Sequence, residues 1–376
     1  MTIRRAIGLM SGTSMDGVDA AILETDGAGR LTRGRSASAA YDAALRETLA
    51  RCLSARAPDA LTAEAETGVT QAHIAAVEAL MAEAGLTVAD VDVVGFHGQT
   101  IFHQPPEGGR SGWTWQLGDG QAMADRLGLP VVFDFRAADM AAGGHGAPFA
   151  PVYHRALAAA GGAEPPIGFL NVGGVSNLTV VEALDAAPIG FDTGPGNAPI
   201  DDLVARRLGA RMDANGRLAA AGRVDDAALA AMLDHPYFAA PYPKSLDRNA
   251  FDTTPVERLS TEDAAATLVA FLVEAVARGA ALVTRPPARW FVTGGGRRNP
   301  EIMRALRQRL AAPVEPVEAL GADGDVLEAE AFAYMAVRRL AGLPISFPET
   351  TGVAAPTVGG RLVHPRRADP PAAAVG

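Results

Sequence analysis

The chain is poor in several residue types. Cys52 is the only cysteine among 376 residues, which excludes an intrachain disulfide and any zinc cluster built on cysteines. Lysine is just as scarce. Lys244 is the only one, and it does not sit in a G-x-x-x-x-G-K-[ST] run, so a P-loop nucleotidase is excluded. Neither a V-A-I-K strand nor an H-R-D loop occurs, which argues against the eukaryotic protein-kinase fold. No window approaches the ~20 uninterrupted apolar residues of a membrane span. The apolar stretch in MTIRRAIGLMSGTS is too short for a signal peptide, so the expectation is a cytoplasmic protein. Basic charge is also in deficit, with 33 Lys and Arg against 43 Asp and Glu and a net charge of −10. A nucleic-acid binder would need a basic face. A small anionic substrate needs only a local arginine.

What is present describes a globular chain, 48% hydrophobic and 20% charged. Its length predicts two domains. Apolar Ile3–Met10, a small polar turn at Ser11–Gly17 and apolar Val18–Glu24 read as strand, turn, strand. The same plan returns at Ile167–Val172, Gly173–Ser176 and Asn177–Ala183, the two turns starting 162 residues apart. Paired hairpins in two halves suggest an internal duplication. Helical spacing marks Tyr41–Ala57, Glu64–Ala84, Ala147–Ala160, Thr261–Arg278 and Glu328–Leu340. Val91–Phe96, Pro130–Phe135 and Arg289–Thr293 read as strands. Asn299 and Pro300 form a cap and first turn for a further helix. The expected division is a first lobe over 1–150, joined by a C-terminal helix around 328–365, a second lobe over 151–327, and a disordered tail over 366–376.

Seven segments carry candidate chemistry. GLMSGTSMDGVD, from Gly8 to Asp19, places N–H groups and hydroxyls in a tight turn that suits phosphate oxygens, with Asp16 or Asp19 able to hold magnesium through water. An ordinary hairpin turn reads equally well. LNVGGVSNLT, from Leu170 to Thr179, repeats this logic. In FVTGGGRRNP, from Phe291 to Pro300, three glycines precede a helix N-terminus and let backbone approach a ligand, without the G-x-G-x-x-G dinucleotide pattern. In GFDTGPGN, Asp192 sits in a loop bounded by glycines and Pro195, as a general base or an Asx-turn aspartate. GFHGQTIFH offers His97 and Gln99 to a polar sugar or to loop hydrogen bonds. In DFRAADMAAGGHGAP, Arg136 is suited to a carboxylate or phosphate, with Asp139 orienting it, or to a structural ion pair. EAEAFA opens a late helix, where Glu328 and Glu330 favourably meet the dipole.

Taken in order, these segments resemble the anhydro-N-acetylmuramic acid kinases over residues 8 to about 335. That resemblance implies an α/β, two-lobed actin-like ATPase fold, with duplicated ribonuclease H-like domains and a central nucleotide cleft. It implies ATP with magnesium and a homodimer, while the charge balance and the absence of a long apolar run imply no nucleic-acid or membrane partner. It also implies one coupled reaction, in which the 1,6-anhydro ring of anhydro-N-acetylmuramic acid is opened by water and O6 is phosphorylated, in peptidoglycan recycling. Carried onto this chain, Asp192 is the catalytic base. Gly12, Thr13, Ser14, Met15, Asp16, Gly17, Val18, Asp19, Asn171, Gly173, Gly174, Gly294, Gly295 and Gly296 contact ATP, and Asp16 contacts magnesium through water. His97, Gln99, Arg136 and Glu328 contact the sugar. Some relatives carry more arginine where this chain has Ala137 and Ala138, and relatives often have Gln in place of His145, which affects the sugar pocket rather than the reaction. Three other readings remain: another sugar or acid kinase on the same fold, a non-catalytic sugar sensor, and a glycosidase pairing Asp192 with Glu328.

Overall fold

The computed structural model describes residues 1–12, 14–106, 108–246 and 250–366. Among them are twelve strands: β1 (Arg4–Ser11), β2 (Gly17–Thr25), β3 (Leu31–Ala40), β4 (Val93–Gln104), β5 (Trp113–Leu117), β6 (Val131–Phe133), β7 (Ile167–Val172), β8 (Val175–Val181), β9 (Ile189–Pro195), β10 (Arg289–Thr293), β11 (Val314–Pro316) and β12 (Arg361–Val363). The chain divides into two compact units. Unit 1 holds Met1–Gly146, Glu328–Ile345 and the chain from Pro356; unit 2 holds Ala147–Leu327 and Ser346–Ala355.

Each unit has its own sheet and core. In unit 1 the order is β12-β6-β4-β1-β2-β3, with β5 paired to β4. β1, β2 and β3 form an antiparallel meander, and β4 and then β6 run parallel beside β1. In unit 2 the order is β11-β10-β7-β8-β9. There β7, β8 and β9 form the meander, and β10 and β11 continue in parallel. Five strands of the first sheet therefore share the topology of the second: β3-β2-β1-β4-β6 matches β9-β8-β7-β10-β11, while β5 and β12 have no counterpart. This is the duplicated α/β architecture of the actin-like ATPases, and the repeated hairpin is its sequence trace.

Helices form where the sequence supplies both an apolar face and a cap. Ala60–Ala84 starts at a capping box between Asp59 and Thr62 and stops at Gly85, whose φ of 67° a side chain would resist. Thr261–Ala280 is capped by Ser260 and buries residues such as Leu268, Phe271 and Leu272 in the unit 2 core. Pro300–Arg309 begins at Asn299, whose side chain accepts from Glu301 and Ile302 N–H groups. The C-terminal helix covers Leu327–Leu340, not 328–365. Gly342, at φ 65°, and then Pro344 end helical geometry there. The chain then returns as β12, antiparallel to β6. Arg366, expected in the tail, is held by Asp125, which accepts from its N–H and guanidinium; residues 367–376 lie outside the described residues.

The Leu327–Leu340 helix presses on the unit 1 sheet at two glycines that are register partners, Gly8 on β1 and Gly95 on β4. A Cβ on Gly8 would overlap the backbone of Ala329 and Ala333, and one on Gly95 would overlap the Phe332 carbonyl. Backbone cannot yield as a side chain does. Gly95→Ala is therefore expected to cost about 1–3 kcal/mol of stability, read as a lower urea midpoint with an unchanged slope. Glu328 stands on the first turn of this helix, so the same close contact fixes its height over the sheet.

Candidate active site

In unit 1 the β1–β2 turn is tied down from β4. Ser11 Oγ donates to the Gly98 carbonyl at 3.0 Å, and Gln99 Nε2 donates to the Gly12 carbonyl at 2.9 Å. Within the turn, Met15 N–H donates to Gly12 O at 3.1 Å, and Met15 has a φ of 53°. Ser14 Oγ donates to Asp16 Oδ1 at 2.8 Å. Asp19, on β2, accepts from Ser38 Oγ at 2.6 Å. Thr13 lies outside the described residues.

In unit 2 the β7–β8 turn is tied down from the end of β9. Gly196 N–H donates to Gly174 O at 3.0 Å, and Asn197 N–H donates to Gly173 O at 2.6 Å. Asn197 Nδ2 also donates to Val172 O at 3.1 Å. A Cβ on Gly295 or Gly296 would meet the Asn197 side chain, so three glycine-bearing segments converge on that residue. Buried Arg297 braces the third of them, donating to Gly294 O at 3.0 Å and pairing with Glu318 and Asp325 at 2.8 Å each.

The glycines expected around ATP separate into two kinds. A Cβ on Gly17 would overlap the Ala39 carbonyl, one on Gly296 would overlap Val172, and Gly294 has a φ of 72°. Packing alone requires glycine at these three positions. At Gly12, Gly173, Gly174 and Gly295 a Cβ would come no closer than 3.5 Å to protein. Nothing in the fold demands glycine there, and the space suits a phosphate approaching backbone. Val18 is buried, so only its backbone can face a ligand. Asp16 is exposed. Among the described residues no three His, Cys, Asp or Glu side chains form a metal cage, so a magnesium ion would rest on one or two carboxylates, with water and phosphate oxygens completing its shell.

The expected sugar residues fall on unit 1. His97 and Gln99 were expected in a loop; they lie inside β4, which continues to Gln104 because β5 pairs with its second half. His97 Nδ1–H donates to Gly98 O at 2.7 Å, leaving Nε2 to accept from Arg136 Nη2 at 2.9 Å and Nε at 3.3 Å. Burial, then the Arg136 charge, hold His97 well below the ordinary histidine range. Arg136 also donates to Gly146 O at 2.6 Å, while Asp139 accepts from Gly146 N–H at 2.7 Å. Burial lowers Arg136 to about 10, opposed by the charges of Glu328 and Asp139. Glu328 keeps solvent-accessible surface, yet its dense surroundings push its carboxyl up; Arg136 pulls it down and Asp19 pushes it up. Gln99 gives its amide N–H to the Gly12 carbonyl and so buttresses the first turn, while its buried Oε1 accepts no hydrogen bond from the described residues.

Asp192 was also expected in a loop. It lies in β9, an edge strand, in a cross-strand row with Asn177 and Asn171. Its N–H donates to Lys244 O at 3.0 Å, its carbonyl accepts from Tyr237 OH at 2.6 Å, and its Oδ2 accepts from Leu246 N–H at 2.8 Å. Half-buried, it is raised by desolvation to about 7, with the Leu246 bond opposing. Sequence reasoning missed Tyr237, Lys244, Leu246, Asn197 and Arg297. Lys244 carried a signal, as the sole lysine of the chain, but the sequence placed it nowhere near Asp192.

The family model described as anhydro-N-acetylmuramic acid kinase matches residues 4–365. The anhydro-N-acetylmuramic acid kinase of Phenylobacterium zucineum is 52% identical over 369 residues, covering 96% of this chain and all of its own. That of Rhizorhabdus wittichii is 52% identical over 371 residues, covering 97% of this chain and all of its own. Among solved structures, a xylulose kinase from Lactobacillus acidophilus aligns over 96% of this chain and 94% of its own at 11% identity and a TM-score of 0.47. A glucokinase of the ROK family from Streptomyces griseus, solved with glucose and AMPPNP, aligns over 88% of this chain and 99% of its own at 15% identity and a TM-score of 0.42. The match spans nearly the whole chain, at half of its positions, and so the chain belongs to the anhydro-N-acetylmuramic acid kinase family.

Proposed function

We propose that this protein opens the 1,6-anhydro ring of anhydro-N-acetylmuramic acid with water and transfers the γ-phosphoryl group of ATP to O6, giving N-acetylmuramic acid 6-phosphate and ADP in peptidoglycan recycling. Family membership supports the kinase. One observation carries the ring opening: Asp192 has one carboxylate oxygen fixed by Leu246 N–H, no hydrogen bond to Oδ1 among the described residues, and an affinity for protons matched to neutral pH. A base so poised can take a proton from water at physiological pH.

In this reading Asp192 accepts the proton as the water oxygen bonds to C1. The C1–O6 bond breaks, O6 bonds to the γ-phosphorus, and the bond from that phosphorus to the β–γ bridging oxygen breaks. The backbone at Gly12, Gly173, Gly174 and Gly295 accommodates phosphate oxygens, and His97, Arg136 and Glu328 contact the sugar. Arg136 offers a cation to the lactyl carboxylate. Magnesium, held through water by Asp16, would neutralise phosphate charge. Among the described residues no helix is long and apolar enough to cross a membrane.

The test is mass spectrometry of the product made from the anhydrosugar, ATP and magnesium in H₂¹⁸O. One labelled oxygen at C1, with phosphate on O6, is the expected result. Phosphorylation of ordinary N-acetylmuramic acid in preference to the anhydrosugar would point to a different acceptor. Ring opening without ATP would point to a glycosidase.

A further inference from the structure

The groups around Asp192 form a closed circuit of hydrogen bonds. Asp192 N–H donates to Lys244 O at 3.0 Å, Lys244 Nζ donates to Tyr237 O at 2.8 Å, and Tyr237 OH donates to Asp192 O at 2.6 Å. Around the circuit each residue gives one bond and receives one, and the Tyr237 carbonyl accepts a second bond from Ala240 N–H at 3.2 Å. Lys244 is the pivot. Its ammonium lies 4.4 Å from the centroid of the Tyr237 ring and 5.8 Å from that of Phe191, and its residue is only 8% exposed. It therefore grips Tyr237 by both ring and carbonyl.

The circuit has a consequence for the carboxylate. At the open edge of a sheet, a parallel neighbour would accept from the N–H of a residue and donate to its carbonyl two positions later. Lys244 O and Leu246 N–H flank Ser245 in that pattern. The Asp192 carbonyl, however, is already taken by Tyr237 OH. Leu246 N–H reaches the side chain instead, at 2.8 Å from Oδ2. Occupying the carbonyl thus turns a backbone donor onto the carboxylate and leaves the other oxygen for chemistry.

We infer that Lys244 is a positioning residue for the reaction: it closes the Asp192–Lys244–Tyr237 circuit that diverts Leu246 N–H onto Asp192 Oδ2 and so aims Oδ1. The inference rests on the reading of Asp192 as the base. It explains why a chain that otherwise uses arginine keeps one lysine. Three slender N–H donors on a flexible stem fit between a ring and a carbonyl, where a planar guanidinium fits poorly.

The test compares Lys244→Met, Lys244→Arg, Tyr237→Phe and the Lys244→Met/Tyr237→Phe double variant of the full chain. The readouts are kcat and the KM values for sugar and ATP, with thermal melts to show folding. Displacement of a catalytic group by ~1 Å costs about 100-fold. Lys244→Met and Tyr237→Phe are each expected to lower kcat by about 10- to 100-fold, with KM for ATP within about twofold. Because both cut one circuit, the double variant is expected to fall no more than about threefold below the worse single. Lys244→Arg keeps a donor and a cation but not the fit, and should recover no more than about threefold over Lys244→Met. Wild-type kcat in Lys244→Met, or losses that multiply in the double, would overturn the inference. Should Lys244→Met fail to fold, Tyr237→Phe decides: it removes a single hydroxyl, and an unchanged kcat overturns the circuit. Asp192→Asn is assayed in parallel. An inactive Asp192→Asn beside a fully active Lys244→Met defeats the circuit alone, whereas a fully active Asp192→Asn defeats the base and the circuit with it.

Discussion

Asp192→Asn is expected to lower sugar-dependent ADP release by about 10³-fold and, at the same time, to make the protein more stable at pH 8. The first effect follows because O6 becomes a phosphate acceptor only as the ring opens, so the two steps fail together. The second follows from the raised carboxyl, at about 7 in the folded chain. Between about pH 4 and pH 7 the folded state binds a proton that the unfolded state has released. Stability therefore falls as pH rises through that window, and above it the full cost of the ionised, half-buried carboxylate is present. Solvent access reduces that cost to about 1–2 kcal/mol. Asparagine carries no such charge, and its side-chain oxygen can still accept from Leu246 N–H. Urea unfolding at pH 5 and pH 8 should show wild-type stability dropping between the two, with the variant flat. Wild-type kcat should rise with pH through about 7, the limb on which Asp192 ionises. ADP release retained in the variant would remove Asp192 from the chemistry.

How much of this was legible in the sequence depends on the range of the interaction. Turn composition is local, so both hairpins, the Asn299 cap and the helix carrying Glu328 can be read from neighbouring residues. The duplication could also be seen, because a topology repeated in two sheets leaves the same strand–turn–strand pattern twice. Strand lengths could not. His97 and Gln99 read as loop because glycine follows His97, yet pairing with β5 extends β4 through them to Gln104. Asp192 misled for the same reason: Gly194, Pro195 and Gly196 suggest a loop, while pairing with β8 keeps Asp192 in β9. The circuit around Asp192 joins residues about 50 positions apart, and no periodicity marks it. Glycine was ambiguous in a further way. The sequence treats Gly17 and Gly12 alike, but Gly17 is required by the Ala39 carbonyl, whereas a Cβ at Gly12 would make only an ordinary contact with Ser14.

Arg136→Lys keeps the charge, yet it is expected to lower kcat/KM for the anhydrosugar by about 100-fold while leaving KM for ATP near its wild-type value. Arg136 meets His97 Nε2 with two of its nitrogens and the Gly146 carbonyl with a third. This is a planar fork that an ammonium cannot reproduce. Its loss leaves the imidazole with its bond to Gly98 O and the Gly146 backbone with its bond to Asp139, each short of one tie. Arg136→Met goes further by removing a cation near Glu328 and Asp139. The Glu328 carboxyl, already raised by its dense surroundings, should rise again, and folding should lose about 2–3 kcal/mol, below the usual cost of breaking a fully buried pair because Arg136 is only half-buried and Glu328 is exposed. His97 supplies an independent readout. It is kept neutral by burial and then by the arginine charge, so in Arg136→Met its imidazole should titrate closer to the ordinary histidine range, a shift visible by NMR. An Arg136→Lys variant within about fivefold of wild-type kcat/KM would show that charge alone suffices, and that the fork between His97 and Gly146 does not set the sugar contacts.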